Sequence, residues 1–351
     1  MEKIINTGLL AYGMSGKLFH APFLSVHPGF NLSAVTERNE KKAQKDYPEI
    51  NSYDTIDELL NDPEVELVVV NTPNFTHYDY TRQALLKGKH VLVEKPFAAT
   101  VEEAQALFDL SRETGKQVFV YQNRRWDSDY LAVKQVIDSG VLGNIAEVHI
   151  RFDRYRNTIG PKTFKEELVP ATGLQYDLGA HLLDQVINLF GKPLSFYKVL
   201  GMNRKDTKVD DYFHFHLQYP DSLQVFVCST MLAPDPQAAF VVHAEQGSLV
   251  KYRADIQEAQ LLKDIRPGSE GYGEEPVELA ATLTRMNPDG SKKEERLVSE
   301  KGSYMPLFEG VYQTIRNNKP YPVTEEQVIT QLRILEAPAG SKSFNKACFP
   351  V

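Results

Sequence analysis

The sequence predicts an α/β protein: an N-terminal doubly wound parallel sheet followed by a C-terminal α+β domain built on a mostly antiparallel sheet. Three observations carry this. The chain has 351 residues, enough for about two domains at ~150 residues each. Its first third alternates short, unbroken apolar runs with amphipathic segments, the pattern of parallel strands covered by helices on both faces. Beyond Gln122 the pattern changes to neighbouring runs of alternating polarity, which suit an antiparallel sheet. The boundary is therefore expected between domains 1–122 and 123–351.

The elements follow in order. Residues 4–10, 31–36, 67–70, 90–93 and 117–120 read as five strands, with helix-period segments at 55–61, 75–87 and 100–114. The last opens with Thr100 as N-cap and Glu102 and Glu103 in its first turn, where acids complement the positive end of the helix dipole. Gly88 and Gly115 stand where helix C-caps belong. In the second half, 131–139 and 177–190 read as helices stopped by Gly140 and Gly191. Residues 144–152, 212–219, 223–230 and 240–244 read as strands, with Pro220-Asp221-Ser222 as a hairpin turn. Residues 263–300, rich in Gly, Pro, Glu and Lys, read as loops, and 325–335 as a final helix.

Composition narrows the function classes. Hydrophobic residues at 42% and charged residues at 25% exclude a disordered, collagen-like or coiled-coil chain. The longest stretch without Asp, Glu, Lys or Arg, 18–36, holds two prolines, a glycine and two histidines, so no membrane span is expected. Met1 to Ile5 contains no apolar core of a signal peptide. Cys228 and Cys348 are the only cysteines, too few for a disulfide scaffold or a cysteine-rich zinc site. A net charge of −8 argues against general nucleic-acid binding. The expectation is a cytoplasmic protein with neither nucleic-acid nor membrane partners.

Four segments carry candidate chemistry. Ala11-Tyr12-Gly13-Met14-Ser15-Gly16 lies between the first strand and a helix, the place of a dinucleotide fingerprint. Glycines there let the backbone approach a pyrophosphate, and the helix N-terminus supplies donors. The plainer reading is an ordinary glycine-containing turn. About 20 residues on, the second strand ends in Glu37 and Arg38; an acid can hold the ribose hydroxyls of NAD, whereas an arginine can accept the 2′-phosphate of NADP. Alternation puts the two on opposite sides. The fourth strand ends in Glu94-Lys95-Pro96, where carboxyl ends face the binding crevice of an open α/β sheet. Asp177 and His181 are four residues apart on a helix and so share a face. Histidine suits a general base near neutral pH and a carboxylate can orient its ring, although a surface ion pair has the same spacing. Asp177, His181 and Asp184 also span two turns, but no further His–Cys cluster supplies metal ligands, so no metal is expected.

The glycine turn, Asn71-Thr72-Pro73-Asn74-Phe75-Thr76-His77, Glu94-Lys95-Pro96 and the D-x-x-x-H helix occur in that order. Together they resemble the Gfo/Idh/MocA oxidoreductases over essentially the whole chain. Phe19-His20-Ala21-Pro22, Asn123-Arg124-Arg125-Trp126-Asp127-Ser128-Asp129 and Asp211-Tyr212-Phe213-His214 are similar to the NADP-dependent scyllo-inositol dehydrogenase branch. Ala11 departs from the fingerprint, standing in place of its first glycine.

The resemblance implies a Rossmann domain and an NAD(P)-dependent dehydrogenase acting on a secondary alcohol of a cyclic polyol or sugar, with NADP ahead of NAD. It implies Lys95, Asp177 and His181 as catalytic residues. Tyr12, Gly13, Met14 and Ser15 would wrap the pyrophosphate; Asn71, Thr72, Pro73, Asn74, His77 and Glu94 would line the cofactor; Asn123 and Trp126 would close the site. It also implies a homodimer or homotetramer formed through the C-terminal sheet. Two alternatives stay open: a sugar or amino-sugar dehydrogenase of other specificity, and a regulator of the same fold that senses NAD(P) without turnover. The presence of Lys95, Asp177 and His181 favours an enzyme.

Overall fold

In the computed structural model, which describes residues 4–160 and 166–340, the apolar runs of the first third become a six-stranded sheet. Its strands are β1 (Ile5–Leu9), β2 (Phe30–Thr36), β3 (Asn51–Tyr53), β4 (Leu67–Val70), β5 (His90–Glu94) and β6 (Val118–Tyr121). All pairings are parallel, in the order β3-β2-β1-β4-β5-β6. β4 is buried at every position, which is why it reads as an unbroken apolar run. The strand order reverses at β1, and such a switch point opens a crevice at the carboxyl ends of the strands. β3 was not expected: Asn51-Ser52-Tyr53 is short, polar and at the sheet edge.

The expected helix stops are in place. Thr100 Oγ1 accepts the Glu103 N–H at 3.1 Å, and Gly115 ends that helix in the left-handed conformation at φ +66°. Two helices depart from α geometry. The helix after β1 passes through a π turn at Gly16–His20, and the helix carrying Asp177 through another at Gln175–Gly179. Widened turns of this kind recur at functional sites.

The chain divides into two compact units, and each is built from separated segments. The first takes the chain up to Asn123, then Gln257–Tyr272 and Ser303–Ile329. The second takes Arg124–Ile256, Gly273–Gly302 and the described residues from Thr330 onward. The first crossing falls one residue from the division read at 122, but the two returns had no local signal. They are made by long-range contacts: Tyr272 meets Phe23 with ring centroids 6.3 Å apart in the first return, and in the second Phe308 on the helix Met305–Asn317 stacks on Phe23 with centroids 5.5 Å apart and Arg316 holds both Glu66 oxygens at 2.6 Å.

The second unit centres on an eight-stranded sheet. Its strands are β7 (Ile145–Arg151), β8 (Ser195–Gly201), β9 (Tyr212–Gln218), β10 (Gln224–Thr230), β11 (Phe240–Ala244), β12 (Gly247–Lys251), β13 (Ala281–Met286) and β14 (Lys292–Leu297). They run in the order β14-β13-β12-β11-β7-β10-β9-β8, and only β7 and β10 pair in parallel. The hairpin read at 220–222 joins β9 to β10. One face is buried through Phe213, Phe215 and Leu217 while Tyr212, His214 and His216 are half-buried on the other. The helix carrying Asp177 lies against the buried face at Gly179, where a Cβ would meet the Phe213 and Phe215 rings at 3.3 Å.

Residues 263–300, read as loops, contain the β13–β14 hairpin. That reading fails because Lys292-Lys293-Glu294-Glu295-Arg296-Leu297 is an edge strand, and charged edges carry no apolar signal. No helix among the described residues is long and apolar enough to cross a membrane. Cys348 lies outside the described residues.

Candidate active site

In the first unit the site begins where β1 runs into the glycine turn. The Asn71 carboxamide, from the end of β4, grips the peptide of Ala11 at both ends: Oδ1 accepts the Ala11 N–H at 3.1 Å and Nδ2 donates to the Ala11 carbonyl at 2.8 Å. A Cβ on Gly16 would sit 2.3 Å from that carbonyl oxygen and 2.8 Å from Asn71 Nδ2, so only glycine fits. Gly13 is the opposite case: a Cβ there would meet nothing within 4 Å. The turn thus borders open space just where a helix begins, and the first turn of a helix presents backbone N–H donors without intrahelical partners. This cradle fits the diphosphate of a dinucleotide. Ala11 is absent from the residues with positive φ, so its methyl group is not strained in the position where the fingerprint has glycine.

Tyr12 and Met14 differ in what they offer. Tyr12 is buried and donates its hydroxyl to Asp46 at 2.8 Å, and Asp46 also pairs with Lys17 at 3.0 Å. Its side chain is engaged, leaving its backbone for the turn. Met14 is exposed.

The end of β2 separates the two candidates for the adenosine ribose. Glu37 is buried; its carboxylate accepts the N–H groups of Lys42 at 2.9 Å and Ala43 at 3.1 Å, and Ser52 Oγ at 3.4 Å. It caps the short helix Ala43–Asp46. Arg38 is exposed and makes no hydrogen bond or ion pair with a described residue.

Beyond β4, Pro73 is exposed, and Thr72 and Asn74 are half-buried. His77 turns inward: its ring is fully buried, with Nδ1 2.7 Å from the Pro96 carbonyl and Nε2 2.9 Å from the Thr72 carbonyl. At the end of β5, Glu94 Oε1 accepts the Ser15 hydroxyl and lies 2.9 Å from His20 Nε2. Burial works to raise the Glu94 carboxyl, but the hydrogen bond and charge of His20, with Ser15 and Lys95 adding, hold it below its ordinary value. Lys95 follows, half-buried, joined to Pro96 by a cis peptide bond.

In the second unit Asp177 and His181 occupy one continuous helix, Asp177 half-buried in its π turn and His181 only 7% exposed. Asp210 fastens the start of that helix. Its Oδ2 accepts the Gln175 N–H at 2.7 Å, and its carbonyl accepts the Leu174 N–H at 2.8 Å. Burial pushes its carboxyl up to about 6, against the Gln175 N–H and the charge of Lys198. Asp184, one turn beyond His181, is held by Arg125 through two bonds of 2.8 and 2.7 Å. It therefore serves the fold, and no group of three or more possible metal ligands occurs among the described residues. Arg124 pairs with Asp127 at 2.8 Å, and its carbonyl accepts Gln185 Nε2 at 2.9 Å. Trp126 between them is half-buried. Asn123, at the end of the first unit's opening segment, is buried.

Sequence reasoning left His20 without a role and missed Asp210 altogether. His20 stood inside a quoted motif, but its partner Glu94 is 74 positions away. Asp210 had no signal beyond preceding a strand.

A nucleotide-binding unit with a fingerprint-like turn, and a second unit bearing an Asp–His helix on a broad sheet, define a two-domain dinucleotide-dependent oxidoreductase. Family models confirm that class. The oxidoreductase-family NAD-binding Rossmann fold matches residues 5–122, and the oxidoreductase-family C-terminal alpha/beta domain matches 134–347. The chain belongs to the Gfo/Idh/MocA oxidoreductase family. It is 36% identical over 336 residues to the uncharacterized oxidoreductase YdgJ of Escherichia coli, covering 96% of each chain. It is 34% identical over 333 residues to the scyllo-inositol 2-dehydrogenase (NADP(+)) IolW of Bacillus subtilis, covering 95% of this chain and 92% of that one. An oxidoreductase structure from Bacillus cereus superposes with a TM-score of 0.89 at 34% identity, covering 97% of this chain and 98% of that one. The protein is an NAD(P)-dependent oxidoreductase.

Asp210 makes a pH-dependent contribution whose sign is fixed by its environment. Its folded value of about 6 lies above the ordinary 3.8, so the folded chain holds that proton more tightly than the unfolded one. The contribution is full below pH ~4 and is lost as pH rises through about 6, by up to ~3 kcal/mol. Denaturant melts of wild type and Asp210→Asn at pH 4, 5, 6 and 7 should show the wild type losing stability relative to the variant as pH rises. A constant difference would mean that the Asp210 carboxyl titrates alike in the folded and unfolded chain.

Proposed function

We propose that this protein transfers a hydride reversibly between NADP and a secondary alcohol of a cyclic polyol, with scyllo-inositol the first substrate to test. The observation that carries the reading is the combination of an open glycine cradle, Lys95 at the end of the strand beyond it, and Asp177 with His181 on one helix. The activity named for IolW supports the substrate class.

The bound nicotinamide supplies the hydride chemistry. In the oxidation direction His181 takes the proton of the substrate hydroxyl and returns it in reduction. Lys95, at the end of β5, supplies an ammonium suited to stabilising the negative charge of an alkoxide. Asp177 orients the His181 ring. The backbone of Tyr12, Gly13, Met14 and Ser15 holds the diphosphate, Asn71 keeps that turn in shape, and Thr72, Pro73 and Asn74 border it. Arg38 pairs with the 2′-phosphate, since a guanidinium matches a phosphate with two parallel bonds. Glu37 is already committed to the Lys42 and Ala43 amides, which supports NADP over NAD.

The second unit's sheet supports self-association. Phe226 on β10 is half-buried between His149 on β7 and His216 on β9, with ring centroids 4.9 and 4.6 Å apart. This row lies on the face opposite Phe213 and Phe215, and a second copy covers it in a homodimer or homotetramer.

Lys95→Ala and His181→Ala should each lower kcat by about 10²- to 10⁴-fold while NADPH titration shows little change in affinity. Wild-type turnover in both variants would refute the assignment. An absorbance screen with NADP or NAD against inositol isomers and aldoses decides the substrate, and a preference for aldoses would favour the sugar dehydrogenase reading.

Arg38→Ala should raise the KM for NADP by roughly 10- to 150-fold, the equivalent of ~1.5–3 kcal/mol for a lost charge-assisted bond, and leave NAD nearly untouched. Glu37→Ala should instead cost about 1–3 kcal/mol of stability without changing the preference. A variant that loses NAD binding on removal of Glu37 would reverse the reading.

Light scattering should give a dimer or tetramer for the wild type and a monomer for Phe226→Glu. A monomeric wild type would refute self-association.

A further inference from the structure

Glu94, Lys95 and Pro96 are consecutive, and each neighbour of the lysine is gripped by a buried histidine. On one side Glu94 Oε1 receives the Ser15 hydroxyl and lies 2.9 Å from His20 Nε2. The His20 ring is 0% exposed and tilts over Tyr121 with centroids 4.3 Å apart. Tyr121 in turn donates its hydroxyl to the Phe19 carbonyl at 2.7 Å, holding the same helical turn. His20 Nδ1 is buried with no hydrogen-bond partner among the described residues, so Glu94 is the ring's one hydrogen-bonding engagement. On the other side the buried His77 ring spans the Pro96 carbonyl at 2.7 Å and the Thr72 carbonyl at 2.9 Å. The first histidine comes from the helix after β1, the second from the helix that follows β4.

A buried histidine is more often a satisfied core group than a functional one. Here both rings end on an atom of a residue adjoining Lys95, and they reach it from different elements. A lysine carries a compact charge on a flexible four-carbon stem, so its aim depends on the backbone it leaves. A misplacement of about 1 Å can cost ~10²-fold in rate.

We propose that His20 and His77 are positioning residues for Lys95. His20 acts through Glu94 and His77 through the Pro96 carbonyl, fixing the backbone on both sides of the lysine. Ser15 brings the glycine turn into the same unit, so the seat of the dinucleotide phosphates and the Lys95 amine share one geometry. The inference rests on the reading of Lys95 as a catalytic residue.

The test compares full-length His20→Gln, His77→Gln and Ser15→Ala with wild type by three measurements. These are NADPH binding by fluorescence titration, turnover of scyllo-inositol with NADP, and the rate of Lys95 reductive methylation by mass spectrometry, with exposed Lys45 as the reference. Both histidine variants should lower kcat by about 10- to 100-fold with much smaller changes in KM for NADP. They should also speed Lys95 methylation several-fold while Lys45 stays constant. Ser15→Ala, which removes one hydroxyl and empties no core, should alter NADPH affinity and Lys95 methylation together. A merely structural role would lower the melting temperature and leave Lys95 methylation and kcat as they were, which would overturn the proposal. If a glutamine variant fails to fold, Ser15→Ala decides: unchanged Lys95 methylation counts against it. The methylation rates stand even if wild type does not oxidise scyllo-inositol, which would fault the substrate. Faster methylation alongside full activity in Lys95→Ala would instead fault the catalytic reading of the lysine.

Discussion

The nucleotide-binding end of the first unit depends on one carboxamide. Asn71 holds both ends of the Ala11 peptide, and so ties the end of β1 to the end of β4 across the point where the strand order reverses. Two consequences follow. The space beside the Ala11 carbonyl is filled, so Gly16 must lack a Cβ, and the helix can start close to the strand. The first residue of the turn is held from the side by hydrogen bonds rather than by an unusual backbone conformation, so alanine serves where the fingerprint has glycine. The open side at Gly13 is what this clamp leaves exposed to a ligand.

Polar burial organises both units. Burying a charge costs free energy unless it is paired and hydrogen-bonded, and a buried ion pair is weak evidence of net stabilisation. What such pairs supply here is placement. The Arg125–Asp184 pair joins the Arg124-Arg125-Trp126 segment to the helix one turn after His181. Asp210 fixes the other end of that helix at Gln175, so His181 lies between two polar anchors. In the first unit Glu94 plays the corresponding part, receiving Ser15 and facing His20 immediately before Lys95.

Much of this was legible in the sequence, for identifiable reasons. β1 and β2 are shorter apolar stretches interrupted by Asn6, Thr7, Asn31 and Ser33, whereas β4, β5 and β6 are built on apolar runs, which announce themselves in a covered parallel sheet. β3 and β14 are polar edges and do not. The return of the chain to the first unit rests on Phe308 against Phe23, a contact without local periodicity. Among the site residues, chemistry was easier to read than direction. His77 stands in a segment that borders the crevice, yet its ring is spent on two backbone carbonyls. A histidine that lines a crevice and one that braces its backbone look alike in sequence. Alternation placed Glu37 and Arg38 on opposite sides, but which faced inward depended on the four-residue helix at Ala43–Asp46, too short to show a period.

That helix also bears on cofactor choice. Its N-terminal amides take up the Glu37 carboxylate, and an acid placed there complements the helix dipole. Three of the neighbouring lysines are engaged as well: Lys17 with Asp46 at 3.0 Å, Lys41 with Asp54 at 2.6 Å and Lys42 with Glu40 at 3.0 Å. Exposed pairs of this kind contribute little, so they hold their lysines loosely, but a lysine recruited by a phosphate would first give up that contact. Arg38 has no such partner among the described residues. In the proposed NADP complex its guanidinium would meet a dianionic 2′-phosphate with nothing to surrender except hydration, in a protein whose net charge of −8 otherwise repels the ligand. The NADP reading thus draws support from what Glu37 has already bound as much as from what Arg38 can bind.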